Sequence, residues 1–418
     1  MRDGQRIILM RGLRQGAYGL LAVVLAIALT RDGFSPAAIG ALVTVSLAGD
    51  FLGTLIIGHY ADRWGRRRTL IVLALLMALT GLIFGFLHWY PLLLLAAFFG
   101  TLGTSSSETA PFLPIEQAML GSRGTGTART RLFARYNLVA SIAGACGALV
   151  AGLPALLARG GLPFDPLLAL TFCLYALAAV IVAIQAARLS SAVEVQGAAV
   201  PKRGSLGSQW RRVIPPLPHS RGIVIRLAAL FSVDAFAGGL IGQTLLALFF
   251  HLRFGADLEM LGALFFGANL LSALSFLAAP GLAKRFGLLN TMVFTHLPSN
   301  ILLILVPLMP VFPLAAVILL MRQCLSQLDV PTRQAYTMAL VEPAERTAAA
   351  SVTSLARSAG SSASPILSGV MLQGPLLALG LPLLLAGGLK AAYDLALWAV
   401  FHRIPEEVVT KDAQGQRT

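Results

Sequence analysis

Residues 58–68 read Gly58-His59-Tyr60-Ala61-Asp62-Arg63-Trp64-Gly65-Arg66-Arg67-Arg68. They lie between two apolar runs, about 37–58 and 69–88, each long enough to cross a bilayer at roughly 1.5 Å rise per residue. Arginines this dense cannot enter hydrocarbon cheaply, so the stretch belongs in water between two membrane helices. Gly58 permits close approach of neighbouring helices, and Gly65 permits the tight turn that two antiparallel helices require.

Outward from this loop, apolar runs recur between charge or turn clusters. Their approximate limits are 8–29, 37–58, 69–88, 91–116, 134–157 and 164–187 in the first half. In the second half they are 223–252, 258–283, 289–309, 312–338, 348–372 and 376–401. The expected fold class is therefore an all-α polytopic membrane protein with about twelve transmembrane helices. Composition agrees: 57% of residues are hydrophobic and only 12% charged, too few charges to cover a soluble surface of this size. The net charge of +14 would suit nucleic acid on a soluble domain, but the cations cluster between spans, which excludes that partner. Cys146, Cys173 and Cys324 fall in apolar runs without ligand spacing, so neither a disulfide framework nor a metal site is indicated. No nucleophile motif or phosphate-binding loop appears, so an enzyme is not expected and no cofactor is implied. The first apolar run lacks a small-residue cleavage site and reads as a retained span.

Charge placement orients the chain. The loop at 58–68, the cluster Arg123, Arg129, Arg131 and Arg135, the pair Lys284 and Arg285, and residues 188–222 hold most cations. The opposite face offers Arg31, Arg159 and Arg253, each near an acid, so both termini are expected in the cytoplasm. The expected organisation is a six-helix bundle at 1–187, a cytoplasmic linker at 188–222, a second bundle at 223–402 and a polar cytoplasmic tail at 403–418. Pro201, Gly204, Pro215, Pro216 and Pro218 mark the linker as a flexible connection. Within it, Trp210 flanked by arginines suits a headgroup surface.

The halves repeat. Pro114-Ile115-Glu116-Gln117-Ala118 matches Pro331-Thr332-Arg333-Gln334-Ala335, and Gly152 meets Gly369 in the same register. Ala61-Asp62-Arg63-Trp64-Gly65 recurs as Ala283-Lys284-Arg285-Phe286-Gly287, with Thr69 recurring as Thr291 and Gly40 as Gly262. Duplicated halves place a substrate route between them near mid-membrane.

The loop at 58–68 resembles the signature loop between helices two and three of the major facilitator superfamily of secondary transporters, and the resemblance extends over about residues 8–402. It implies two pseudo-symmetric six-helix bundles working by alternating access, a small-molecule substrate, a lipid environment, a monomer and a bacterial inner-membrane location. It also implies gating roles for Gly58, Asp62, Arg63, Gly65, Arg66 and Arg67, with Asp62 latching onto the start of span eleven, where the helix dipole favours a carboxylate. Gly144, Gly147 and Gly152 are weakly similar to the glycine-rich fifth span of family exporters, without its Gly-Pro dipeptide, and close helix packing is an equal reading. Gly360 and Pro365 are their counterparts in span eleven, where Pro365 can kink the helix. Many proton-driven exporters of the family carry an arginine in span four, whereas Leu95-Ala96-Ala97-Phe98-Phe99-Gly100 has no cation.

Ionisable residues at membrane depth cost about 2.5–3.5 kcal/mol each on insertion scales and so mark function or structural pairing. Asp50, Glu108 and Asp234 are candidate proton carriers. Arg322, Asp329, Lys390 and Asp394 are candidate substrate-binding residues, and Arg322 or Lys390 could hold an anionic group. The spacing of Lys390 and Asp394 predicts a mutually neutralising i, i+4 pair, and Arg322 and Asp329 fall on about one helix face. Arg14 either snorkels or pairs with Asp50. Glu116 and Arg333, equivalent in the repeat, are a candidate salt bridge between bundles. The leading expectation is proton-coupled export of a small organic molecule. The alternatives are a proton symporter or facilitator for a small anionic solute, and a non-transporting receptor on the same fold.

Overall fold

The computed structural model describes residues 3–104, 111–121, 126–194, 217–342 and 345–403. Glu108, most of the linker with Trp210, and the tail beyond residue 403 lie outside the described residues, as do the side chains of Gly58, Asp62 and Arg63.

The described residues are helical and contain no strand. In chain order the helices are α1 Asp3–Arg31, α2 Pro36–Trp64, α3 Arg66–Phe86, α4 Tyr90–Phe99, α5 Phe112–Gly121, α6 Gly126–Val150, α7 Leu153–Arg159 and α8 Phe164–Ala187. They continue as α9 Arg221–Leu240, α10 Gln243–Phe254, α11 Leu258–Phe286, α12 Leu288–Leu305, α13 Phe312–Leu325 and α14 Asp329–Ala339. The last four are α15 Arg346–Ala363, α16 Pro365–Met371, α17 Gly374–Leu379 and α18 Leu381–Phe401.

Among the described residues, 10 helical segments are long and apolar enough to span a membrane. The two expected spans outside that set are interrupted. Span four is divided into α4 and α5, and span eleven into α15 and α16. Each break has a local cause. Helix α4 ends at Gly100, followed by Thr101 at φ 48 and Gly103 at φ +61, with the Tyr18 ring packed where a Gly103 Cβ would stand. Helix α15 stops one residue before Pro365, which cannot donate the next helical hydrogen bond and instead sits in the first turn of α16. Spans seven and ten are also segmented, at Ile241-Gly242 and at Ser326–Leu328. Discontinuous helices are where transporters commonly expose backbone and charge to a substrate route.

The repeat seen in sequence is reproduced atom by atom at the two helix turns. Gly65 has φ +95 and Gly287 φ +84, a region that favours glycine. The Thr69 hydroxyl donates to the Gly65 carbonyl at 2.9 Å, and the Thr291 hydroxyl donates to the Gly287 carbonyl at 2.7 Å. Each turn is thus closed by the same glycine and threonine four residues apart.

The chain divides into two compact units. The first comprises residues 1–200, 240–270 and 362–382, and the second 201–239, 271–361 and 383–418. Inside the first unit the repeated glycines meet one another. A Cβ on Gly40 of α2 would stand 2.6 Å from the Pro365 carbonyl oxygen and 2.8 Å from Gly369 Cα. A Cβ on Gly262 of α11 would stand 2.9 Å from the Ala148 oxygen and 3.0 Å from the Gly152 nitrogen. The sequence register that relates Gly40 to Gly262 and Gly152 to Gly369 therefore yields two equivalent helix contacts, α2 on α16 and α6 on α11. Gly144 and Gly147 lie on α6 where it packs against Gly19 and Gly16 of α1; no Cβ fits on Gly19 or Gly147. In the second unit Gly360 of α15 lies against the Ser232 backbone of α9 in the same way. Its packed interior includes Leu227, Phe231, Met292, Tyr336, Tyr393 and Leu397. Large apolar side chains such as Leu277, Phe294 and Val317 remain exposed along the helices, as a lipid-facing surface requires.

Candidate functional site

In the first unit, Arg14 of α1 and Glu116 of α5 are both fully buried. The guanidinium donates twice to the carboxylate, at 2.7 Å and 2.9 Å, the bidentate geometry that makes such pairs strong. The Tyr136 hydroxyl of α6 donates to the second Glu116 oxygen at 2.7 Å. The Arg14 guanidinium lies 4.3 Å from the Phe112 ring centroid, which adds a cation–π contact. A second buried cation, Arg11 of α1, lies 5.0 Å from the Tyr136 ring centroid and within electrostatic reach of Glu116.

Asp50 of α2 is buried nearby, within electrostatic reach of Tyr18 and Tyr175. Among the described residues no cation lies at ion-pair distance from its carboxylate. The expected alternatives for Arg14 are thereby resolved: it neither snorkels nor binds Asp50, because Glu116 takes both of its forks.

The second unit is built differently. Asp234 of α9 is buried and receives three cations among the described residues. Arg333 of α14 reaches it at 3.2 Å, Arg357 of α15 at 2.9 Å, and Lys390 of α18 by a short contact to the other oxygen. Arg333 also binds Asp329 at 2.9 Å, one turn back on α14. Asp394 of α18 accepts from Asn300 at 2.8 Å and is 2.8 Å from His296 Nδ1. Arg322, at the end of α13, is buried and donates from one terminal nitrogen to Gln323 Oε1 at 3.2 Å. Gln323 Oε1 also accepts from the Ser326 hydroxyl at 2.6 Å. The Arg322 Nε has no partner among the described residues, and no carboxylate there stands at ion-pair distance from its guanidinium.

Two expected arrangements are revised by these contacts. Lys390 and Asp394 do not neutralise each other, because Asp234 draws the ammonium and the His296–Asn300 pair holds the carboxylate. Arg322 and Asp329 do not share one continuous helix face. The helix is interrupted between them, which leaves the arginine in the last turn of α13 and the aspartate in the first turn of α14. Each charge then complements the dipole of its own helix end. Within its own unit Glu116 is bound by Arg14, and within the other Arg333 is bound by Asp234 and Asp329.

At the turn after α2, the backbone N–H groups of Arg66 and Arg67 donate to Glu194 at 2.8 Å and 3.1 Å. Sequence reasoning missed Glu194. Its place as the one acid in the cation-rich sequence 188–222 was the available signal. A second carboxylate acts likewise on α9, where Glu345 accepts from the His219 and Ser220 N–H groups, both at 2.9 Å. These backbone hydrogen bonds hold the Glu345 carboxyl below its ordinary range.

A profile described as Major Facilitator Superfamily matches residues 7–365. The uncharacterized membrane protein YJR124C of Saccharomyces cerevisiae is 29% identical over 412 residues, covering 93% of this chain and 92% of that protein. Among solved structures, the nucleoside transporter NupG superposes with a TM-score of 0.74 at 16% identity, covering 96% of this chain and 99% of that one. A D-xylose-proton symporter gives 0.70 at 13% identity, over 94% of this chain and 96% of that one. At these identities the structural likenesses speak for the fold alone. They fit a chain whose helices carry paired charges inside and bare apolar side chains outside. The profile covers most of that helical chain, which belongs to the major facilitator superfamily of secondary transporters.

Proposed function

We propose that the protein exports a small organic molecule in exchange for protons, by alternating access of two bundles related by the internal repeat. Asp50 carries this reading. It is a buried carboxylate in a membrane helix with no described cation beside it. Such a group is held neutral by a proton more readily than one fixed in an ion pair, so it can exchange that proton as a solute binds. Asp234, the other described candidate, is engaged by three cations and suits a structural role better. Export is favoured by the likeness of residues 58–68 to the family's signature loop, whose Gly65 turn supports the gating assignment. The cation-rich connections support cytoplasmic termini, and the mechanism needs a monomer in a bacterial inner membrane.

The full chain in proteoliposomes tests the reading, with a trapped pH-sensitive dye and a panel of carboxylates, nucleosides and sugars. Antiport predicts that solute entry drives protons out and that an acid interior accelerates uptake. Symport predicts the opposite sign for both. D50N should abolish solute-driven proton movement while sparing exchange of labelled for unlabelled solute. Native proton movement in D50N would remove Asp50 from the mechanism.

A proton symporter or facilitator for an anionic solute has one observation in its favour, the buried and incompletely satisfied Arg322.

A further inference from the structure

Inside the second unit, four cations (Arg322, Arg333, Arg357 and Lys390) accompany three carboxylates (Asp234, Asp329 and Asp394) among the described residues. Asp234 and Asp329 are close enough for Arg322 to feel their charge, but both are already engaged. Asp394 belongs to His296 and Asn300. Of the four cations, Arg322 has no carboxylate at ion-pair distance among the described residues.

A guanidinium offers five N–H donors in a planar fork. Arg322 uses one, to Gln323, and its Nε donates to nothing among the described residues. Gln323 is itself fixed by Ser326, so the fork is oriented before any ligand arrives. The residue is only 7% exposed, so water compensates little of its charge. A buried cation without a counter-charge is costly, and the cost disappears when an anion occupies the open edge. Two coplanar N–H groups match the two oxygens of a carboxylate or phosphate.

We infer that the C-terminal unit holds a binding site for an oxyanion, the carboxylate or phosphate group of the transported solute, with Arg322 as its direct partner and Gln323 as the residue that orients it. This rests on the reading that the protein moves a small molecule, and it commits that molecule to an anionic class.

The purified full chain in detergent tests the inference by thermal unfolding at constant ionic strength. The probes are benzoate and inorganic phosphate, with potassium chloride, choline and glucose as controls. Benzoate, phosphate or both should raise the unfolding temperature with saturation, and which one acts distinguishes the two sources of the oxyanion. R322Q should weaken that response at least tenfold. R322K, which keeps the charge and loses the fork, should fall between, and it carries the test if R322Q does not fold. Equal responses in native protein and R322Q, or no response beyond chloride, would overturn the inference. Flux of a neutral solute that neither anion inhibits would also overturn it while leaving the transporter reading intact. Absence of any flux would sink the transporter reading without touching anion binding.

Discussion

The two units place a charged helix pair at matching points of the repeat and finish it in opposite ways. In the first, Arg14 of α1 meets Glu116 of α5. In the second, Asp234 of α9 meets Arg333 of α14. Glu116 and Arg333 are equivalent in the duplicated sequence, so the link between first and fourth spans is kept while its signs are exchanged. A ring supports the cation in both, Phe112 under Arg14 and Phe231 near Arg333. The N-terminal carboxylate is bound by one cation, closed to solvent with it, and has Arg11 within electrostatic reach. The C-terminal carboxylate is shared among three cations, one of which, Arg357, is 32% exposed. A sealed bidentate pair braces helices, whereas a partly wet carboxylate shared among three cations can respond to a ligand.

The largest effect should come from D234N, which strands three cations at once. Breaking one buried pair costs about 3–5 kcal/mol, so D234N should lower detergent-solubilised stability by at least that much. A mild loss would mean the three contacts are weaker than their geometry implies. The first unit offers the matching test. E116Q should cost about 3–5 kcal/mol by stranding Arg14, whereas E116L combined with R14M should be nearly neutral, because apolar replacement of a whole buried pair often is. A double variant as damaged as the single one would show that the pair has further partners, and the contrast between units would narrow.

Smaller effects sharpen the repeat. G40V should overpack the α2–α16 contact and cost about 1–3 kcal/mol, with G262V giving a similar loss at α6–α11. Inequality of the two would show that equivalent sequence positions carry unequal load. The smallest effect concerns Glu345. Its carboxyl titrates lower folded than unfolded, so its contribution is present above the unfolded value of about 4.3 and is lost as pH falls through the lower folded value. Unfolding temperature measured against pH should show that acid-side loss in the native protein and a shallower slope in E345Q.

The fold was legible because its signals are local. Span length, cation-rich connections and the Gly-x-x-x-Thr turns at Gly65 and Gly287 are each set by a few adjacent residues. The repeat was legible as short matched strings, and the glycines it related meet one another in pairs. The charge partners were not legible. Depth in the membrane can be counted along a helix, but the direction a side chain faces depends on neighbours distant in sequence. Thus Lys390 and Asp394, spaced for a local pair, were claimed by Asp234 and by His296 with Asn300. The break between Arg322 and Asp329 was marked only by Pro331, which sits in the first turn of α14 and cannot donate to the Gln327 carbonyl, and no glycine or proline lies within Ser326–Leu328 itself.

The contrast between a sealed pair and a ligand-ready cluster is tested most directly by anion-dependent unfolding in two variants side by side. With benzoate and phosphate as probes, E116L combined with R14M should keep the native rise in unfolding temperature, and R322Q should lose it. A response that survives in R322Q and vanishes in the double variant would place the anion in the wrong unit and contradict the account.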